Sequence, residues 1–213
     1  MRLLITAFDP FGGERVNAAA EAVSALPDRI GTVELTKLTV PTEFRRCAAV
    51  VAAVVDELLP DAVLCVGQAA GRAGLTPERV AINVCDASIP DNADFRPVDE
   101  PIEPDGPAAY FATLPIRAMT EAVRAAGLPA SISNSAGTFV CNRLMYGLLH
   151  HLNRRHPAVR GGFLHVPLTT AQALARKLAR PDEPLPPSLP PAEITRGLAA
   201  AISALEPTEA GAE

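Results

Sequence analysis

The sequence predicts an α/β protein, a three-layer α/β/α sandwich around a mixed, largely parallel sheet. Three observations carry that expectation. Short apolar runs alternate with stretches of helical periodicity along the whole chain, which is the pattern that β-α units produce. Residues 61–67, Asp61-Ala62-Val63-Leu64-Cys65-Val66-Gly67, are almost continuously apolar, as in a strand covered on both faces. In 213 residues, 48% apolar against 20% charged side chains is enough for one large core. Residues 1–213 are therefore read as one domain, with the acidic end, residues 206–213, as a frayed tail.

Taken in order, residues 2–8 read as the first strand. A glycine-bearing loop follows, and Asn17 is placed to cap a helix through residues 18–23. Residues 32–40 alternate and predict a second strand. Pro41 and Thr42 are expected to open a helix whose buried face is Phe44, Cys47, Ala48, Val51, Val55 and Leu58. After the apolar strand at 61–67 comes a flexible loop, then a short strand at 79–84, expected to be antiparallel. Residues 86–105 form a long loop, a length that often marks a binding segment. Pro115 starts a helix that Gly127 ends. Ala130-Ser131-Ile132-Ser133 reads as a strand, and Cys141, Leu144, Met145, Leu148 and Leu152 then recur at helical spacing. Residues 160–167 predict a last strand, with helices at about 170–179 and 192–205.

Charge and composition exclude several classes of function. A net charge of −5, with no run of basic residues longer than two, argues against a nucleic-acid surface. No apolar run reaches the length of a membrane span, and the N-terminus enters a strand directly instead of a leader. The expectation is a cytoplasmic protein that binds neither nucleic acid nor membrane. Its four cysteines, Cys47, Cys65, Cys85 and Cys141, lack paired spacing and are expected to be reduced. His150, His151 and His156 read as surface residues, and their spacing matches no zinc motif. No metal or cofactor is expected.

Three residues fall where an α/β fold gathers chemistry, at strand ends and helix starts. Cys141 lies in the first turns of its helix, where unpaired N–H groups and the helix dipole favour a thiolate and lower its pKa. The same N–H groups suit an oxyanion. The competing reading is a packing cysteine, since Cys141 also lies on the apolar stripe. His165 sits near the carboxyl end of its strand, and Glu78 just precedes one. A hydrogen-bonded core histidine and a solvated loop carboxylate are the plainer alternatives. Together the three residue types are those of a nucleophile, a base and a carboxylate that orients the base. Phe8 and Phe11 flank the first loop, in a chain with only 4% aromatics, and suggest an apolar pocket wall or a loop anchored by two core rings.

Several segments, in order, carry a more specific signal. They are Phe8-Asp9-Pro10-Phe11-Gly12-Gly13, Gly67-Gln68-Ala69-Ala70-Gly71-Arg72 and Thr76-Pro77-Glu78-Arg79-Val80-Ala81-Ile82-Asn83. Further along come Ile89-Pro90-Asp91-Asn92, Ser135-Ala136-Gly137-Thr138-Phe139-Val140-Cys141-Asn142 and His165-Val166-Pro167. On these segments the sequence closely resembles the pyroglutamyl peptidase I family, the pyrrolidone-carboxylate peptidases. The resemblance implies a cysteine peptidase that removes N-terminal pyroglutamate from peptides. It implies Cys141 as nucleophile, His165 as base and then acid, and Glu78 as the orienting carboxylate. It further implies Phe8, Phe11, Phe139 and Val140 as pocket lining, with Asn17, Thr42 and Gln68 near the lactam. A homo-oligomer, dimer or tetramer, is expected on the same ground. A small, flat, uncharged lactam suits aromatic walls with a few placed polar partners.

Two positions depart from the family pattern. Ser88 stands where the family commonly has Arg, and Ala70 where it commonly has Gly. The first predicts the loss of a guanidinium near the site, the second a stiffer loop. Three rivals are set against the peptidase reading. Another Cys-His-Glu amidohydrolase, such as a class I glutaminase, would carry the cysteine in a Gly-x-Cys-x-Gly elbow, which this chain lacks. A nucleoside phosphorylase would share the sandwich without needing the thiol. A pyroglutamyl-binding protein, with catalysis weakened by Ser88, would bind without turnover.

Overall fold

A computed structural model describes residues 1–206; most of the expected tail lies outside the described residues. The sheet is built on β1 (Arg2–Phe8), whose alternation sends Leu3, Ile5 and Ala7 to one face and Leu4 and Phe8 to the other. After β2 (Arg29–Ile30), β3 (Val33–Val40) lies parallel to β1 on one side, and β4 (Ala62–Gln68) parallel to it on the other. Then come β5 (Thr76–Pro77), β6 (Val80–Ile82) and β7 (Ala109–Phe111), followed by β8 (Arg160–Val166), which runs parallel beside β4. Two-residue strands close both edges antiparallel, β2 on β3 and β5 on β8, giving the order β2-β3-β1-β4-β8-β5.

Helices cover both faces. On one, α1 (Ala18–Ala25), α3 (Ile116–Ala125) and α6 (Pro191–Ser203) bury Val23, Met119, Val123, Ile194 and Leu198 against Leu3, Ile5, Leu64 and Val66. On the other, α2 (Cys47–Leu58) and α4 (Val140–Arg155) bury Val51, Val55, Leu144 and Leu148 against Leu4, Val63, Cys65 and Phe163. Each such fully buried aliphatic side chain stabilises the fold by about 1.5–3 kcal/mol. These are the three layers expected from the alternation of strands and helices. The smaller α5 (Thr170–Ala179) packs on two short strands, β9 (Leu168–Thr169) and β10 (Ser188–Leu189), and opens with a capping box of Thr169 and Gln172.

Four local expectations are corrected. The helix expected from Pro41 starts only at Cys47, because Asp9 Oδ1 accepts from the Thr42 N–H and Oγ1, and Asp91 accepts from the Phe44 N–H. Those tertiary bonds hold residues 41–46 as a turn. The strand expected at 130–133 is two isolated bridges, Leu75 with Ala130 and Glu78 with Ser133. The strand expected at 79–84 is β6, which leaves the main sheet and pairs antiparallel with β7 in a separate ribbon. The histidines are not free surface groups: His150 Nδ1 pairs with the Tyr110 hydroxyl, and His151 and His156 both meet Asp56. Among the described residues no helix is long and apolar enough to cross a membrane.

Candidate active site

The site lies at the carboxyl ends of the parallel strands, where α4 begins. Strand registry makes the first pairing. Thr76 of β5 lies opposite His165 of β8, and Gly67 of β4 lies opposite His165 on its other side. Two residues beyond Thr76, the Glu78 N–H donates to the Phe163 carbonyl, which keeps Glu78 beside β8. The result is a hydrogen bond of 2.7 Å from His165 Nδ1 to Glu78 Oε1. Glu78 is fully buried, so it is not a solvated loop carboxylate, and His165, 4% exposed, is a buried histidine with a hydrogen-bond partner. With its Nδ1–H given to the carboxylate, the neutral imidazole keeps Nε2 as an acceptor. Phe163 backs the imidazole, ring centroids 4.8 Å apart.

Cys141 enters from α4. Phe139 is the residue before the first turn, and no side chain caps the helix there. The first N–H groups of α4 are thus left without a side-chain acceptor, as an oxyanion site requires. The thiol itself departs from expectation. Burial, joined by the charges of Cys47, Glu78 and Cys65, pushes the Cys141 thiol up, far above its ordinary 9.0. Desolvation thus opposes the helix start, which favours the thiolate. Among the described residues no hydrogen bond joins Cys141 to His165, although both line one cavity. Such nucleophile–base contacts are often loose before substrate binds.

That cavity is about 360 Å³ and is lined by Phe8, Phe11, Asn17, Thr42, Gln68, Phe139, Val140, Cys141 and His165. Every pocket residue expected from the sequence therefore meets at one place, with the nucleophile and base candidates on its wall. Phe11 faces Phe139 at 6.1 Å, and Phe44 supports Phe139 edge-on at 5.1 Å. The polar members are largely engaged already. Asn17 Oδ1 caps α1 through the Ala19 and Ala20 N–H groups. Thr42 Oγ1 donates to Asp9, while Gln68 accepts from the Ala18 N–H and donates to Glu14. Glu14 in turn holds Gln172 and Arg176 of α5, an array that keeps its carboxyl below the usual range: burial opposes the shift, and Arg176, Gln68 and Gln172 outweigh it.

Two residues escape sequence reasoning. Arg72 reaches Glu78 Oε1 at 3.2 Å and the Ser135 carbonyl at 3.2 Å, so the carboxylate is shared by a guanidinium and the imidazole. Arg72 stands inside one of the matched segments, yet nothing in its spacing to Glu78 signals the contact. Asn142 is fully buried, accepts from the Ile82 N–H and donates to the Ile82 and Val84 carbonyls, tying the start of α4 to β6. The two departures stand differently to the site, and Ala70 lines the cavity. Ser88 is exposed and does not line the cavity. Ala70 lies outside the left-handed region, which Gly71 takes at φ +89°.

With this geometry in hand, comparison with known proteins gives a consistent result. The family profile described as Pyroglutamyl peptidase matches residues 1–207. A pyrrolidone-carboxylate peptidase of Streptococcus pyogenes serotype M4 is 51% identical over 205 residues, 96% of this chain and 92% of the relative. The crystal structure of Bacillus amyloliquefaciens pyroglutamyl peptidase I superposes with a TM-score of 0.89 at 44% identity, covering 96% of each chain. A mutant pyrrolidone carboxyl peptidase from the hyperthermophile Pyrococcus furiosus gives 0.89 at 36% identity, over 96% of this chain and 98% of its own.

Proposed function

The chain belongs to the pyroglutamyl peptidase family, and we propose that Cys141, His165 and Glu78 carry its reaction. The activity is that of a cysteine peptidase removing an N-terminal pyroglutamyl residue from peptides. The observation that supports the assignment most is the buried 2.7 Å bond between Glu78 and His165 beside a cavity that also exposes Cys141.

His165 acts as the general base for the Cys141 thiol during attack. Nε2 takes the thiol proton as sulfur bonds to the pyroglutamyl carbonyl carbon. The oxyanion is received by N–H groups at the start of α4. Collapse breaks the C–N bond, and the imidazolium returns its proton to the leaving amine. His165 then deprotonates water, which hydrolyses the thioester, frees pyroglutamate and restores the thiol. Glu78 is a positioning residue: it fixes the tautomer and stabilises the imidazolium. Phe8, Phe11, Phe139 and Val140 form the apolar walls of the lactam pocket, and Asn17, Thr42 and Gln68 hold its polar rim. The glutaminase, phosphorylase and pure-binding readings are not favoured.

We place the enzyme in the cytoplasm, in keeping with its unpaired cysteines. It works as a homo-oligomer, dimer or tetramer. Support for self-association comes from exposed Leu174 and Leu178 on α5, with Leu185 just beyond it. The direct test is release of aminomethylcoumarin from its pyroglutamyl amide, with the prolyl amide as control. Turnover of the first alone supports the reading; turnover of neither, or of both alike, overturns it.

A further inference from the structure

We propose that Asp56, His151 and His156 form a second site, one that binds a divalent transition metal with the donor preference of zinc. Asp56 comes from α2, His151 from α4, and His156 is the residue that ends α4. Both imidazoles turn Nε2 toward the same carboxylate oxygen: His151 Nε2 lies 2.8 Å and His156 Nε2 2.6 Å from Asp56 Oδ1. The donor atoms of all three residues lie within 4.8 Å of one another. The sequence conceals this, because His151 and His156 alone match no motif and their third partner stands on another helix.

The donor set selects the ion. Two neutral imidazoles and one carboxylate suit zinc, nickel or copper, whereas magnesium and calcium call for all-oxygen ligands. Three protein donors leave a fourth position for water, as in open zinc sites. The histidine side chains are mostly covered, at 17% and 19% exposure, while Asp56 is 42% exposed. The fold thus holds the two nitrogens in place before any ion arrives, and the carboxylate side stays open for entry. Packing of α2 on α4 fixes the third donor. Arg155 lies close to Asp56, and Glu103, Arg143, His150 and Arg154 line the adjoining groove with His151. His151 is ten residues along α4 from Cys141, a rise of about 15 Å, so the site is separate from the catalytic centre.

Bound metal would pin α2 to the end of α4, so it should stabilise the fold. The test uses metal-free protein whose Cys141 has been blocked with iodoacetamide, which removes the catalytic thiol as a competing ligand. Zinc chloride is titrated by calorimetry, and thermal unfolding is followed with zinc, magnesium or calcium. One zinc per chain is expected, with a rise in Tm of roughly 5–10 °C at about 100 times the Kd. Magnesium and calcium should leave Tm unchanged. Asp56→Asn preserves shape and should weaken zinc binding about 10-fold or more, as should His156→Gln; before blocking, both variants should hydrolyse the pyroglutamyl amide at wild-type rates. Absence of bound zinc, or unchanged affinity in Asp56→Asn, overturns the proposal without touching the peptidase assignment.

Discussion

Gly67→Ala tests how tightly the nucleophile is held. Gly67 lies on β4 opposite His165, directly under the thiol. A Cβ built there would stand 2.8 Å from Phe163 Cζ and 3.1 Å from Cys141 Sγ. Reaching ordinary contact at 3.4 Å moves the ring by about 0.6 Å and the sulfur by about 0.3 Å. The ring has no free space, since Phe163 is 1% exposed and packed on Phe8 and on His165 itself, so the strain falls on the site. Overpacking of this kind costs about 1–3 kcal/mol, and each kcal/mol lowers Tm by roughly 2–4 °C in a protein of this size. The catalytic loss should exceed the stability loss in proportion, because sulfur and imidazole are displaced together. A misplacement of 1 Å costs about 100-fold, so kcat/KM should fall about 10- to 100-fold while circular dichroism stays native. Wild-type kcat/KM and Tm in Gly67→Ala would refute the placement of Cys141 against β4.

Three further outcomes follow from the same geometry. His165→Ala should lose about 10⁵-fold or more in kcat, as much as losing the nucleophile, and Glu78→Gln about 10³- to 10⁴-fold; equal, near-wild-type rates in Glu78→Gln would return Glu78 to a packing role. Peptides beginning with free glutamine or glutamate should be cleaved at least about 100-fold less efficiently than the pyroglutamyl peptide, since a charge left unpaired among Phe8, Phe11 and Phe139 costs several kcal/mol; competition kinetics measure the ratio. Burial pushes the Cys47 and Cys65 thiols up to about 12 from 9.0, so above pH 9 the unfolded chain sheds protons that the folded chain keeps. Stability should therefore hold below pH 9 and fall as pH rises from 9 toward 12, by about 1.4 kcal/mol per pH unit for each of the two thiols, read from urea unfolding at a series of pH values.

Much of this was legible in the sequence. The period-2 and helical patterns located the main strands and the helix faces, because burial imposes those periods on any sheet covered by helices. Cys141 at a helix start was legible for the same reason, and so was Asn17 as a cap. What escaped was decided by contacts between distant residues. The turn at 41–46 depends on Asp9 and Asp91, and the pairing of Arg72 with Glu78 on how a loop folds back. β5 and β7 are too short, at two and three residues, to show a period. The sequence reveals the place of the thiol at the helix start but not the desolvation around it, which pushes it the other way.

The central claim, covalent catalysis by Cys141, is tested most directly by trapping the acyl-enzyme. Wild-type protein is mixed with a pyroglutamyl ester or amide, quenched in acid within the first turnover, digested and mapped by mass spectrometry. A single pyroglutamyl group, labile to hydroxylamine, is expected on the peptide carrying Cys141, and Cys141→Ala should show neither the adduct nor turnover. Turnover by Cys141→Ala, or an acyl group on any other residue, would contradict the account.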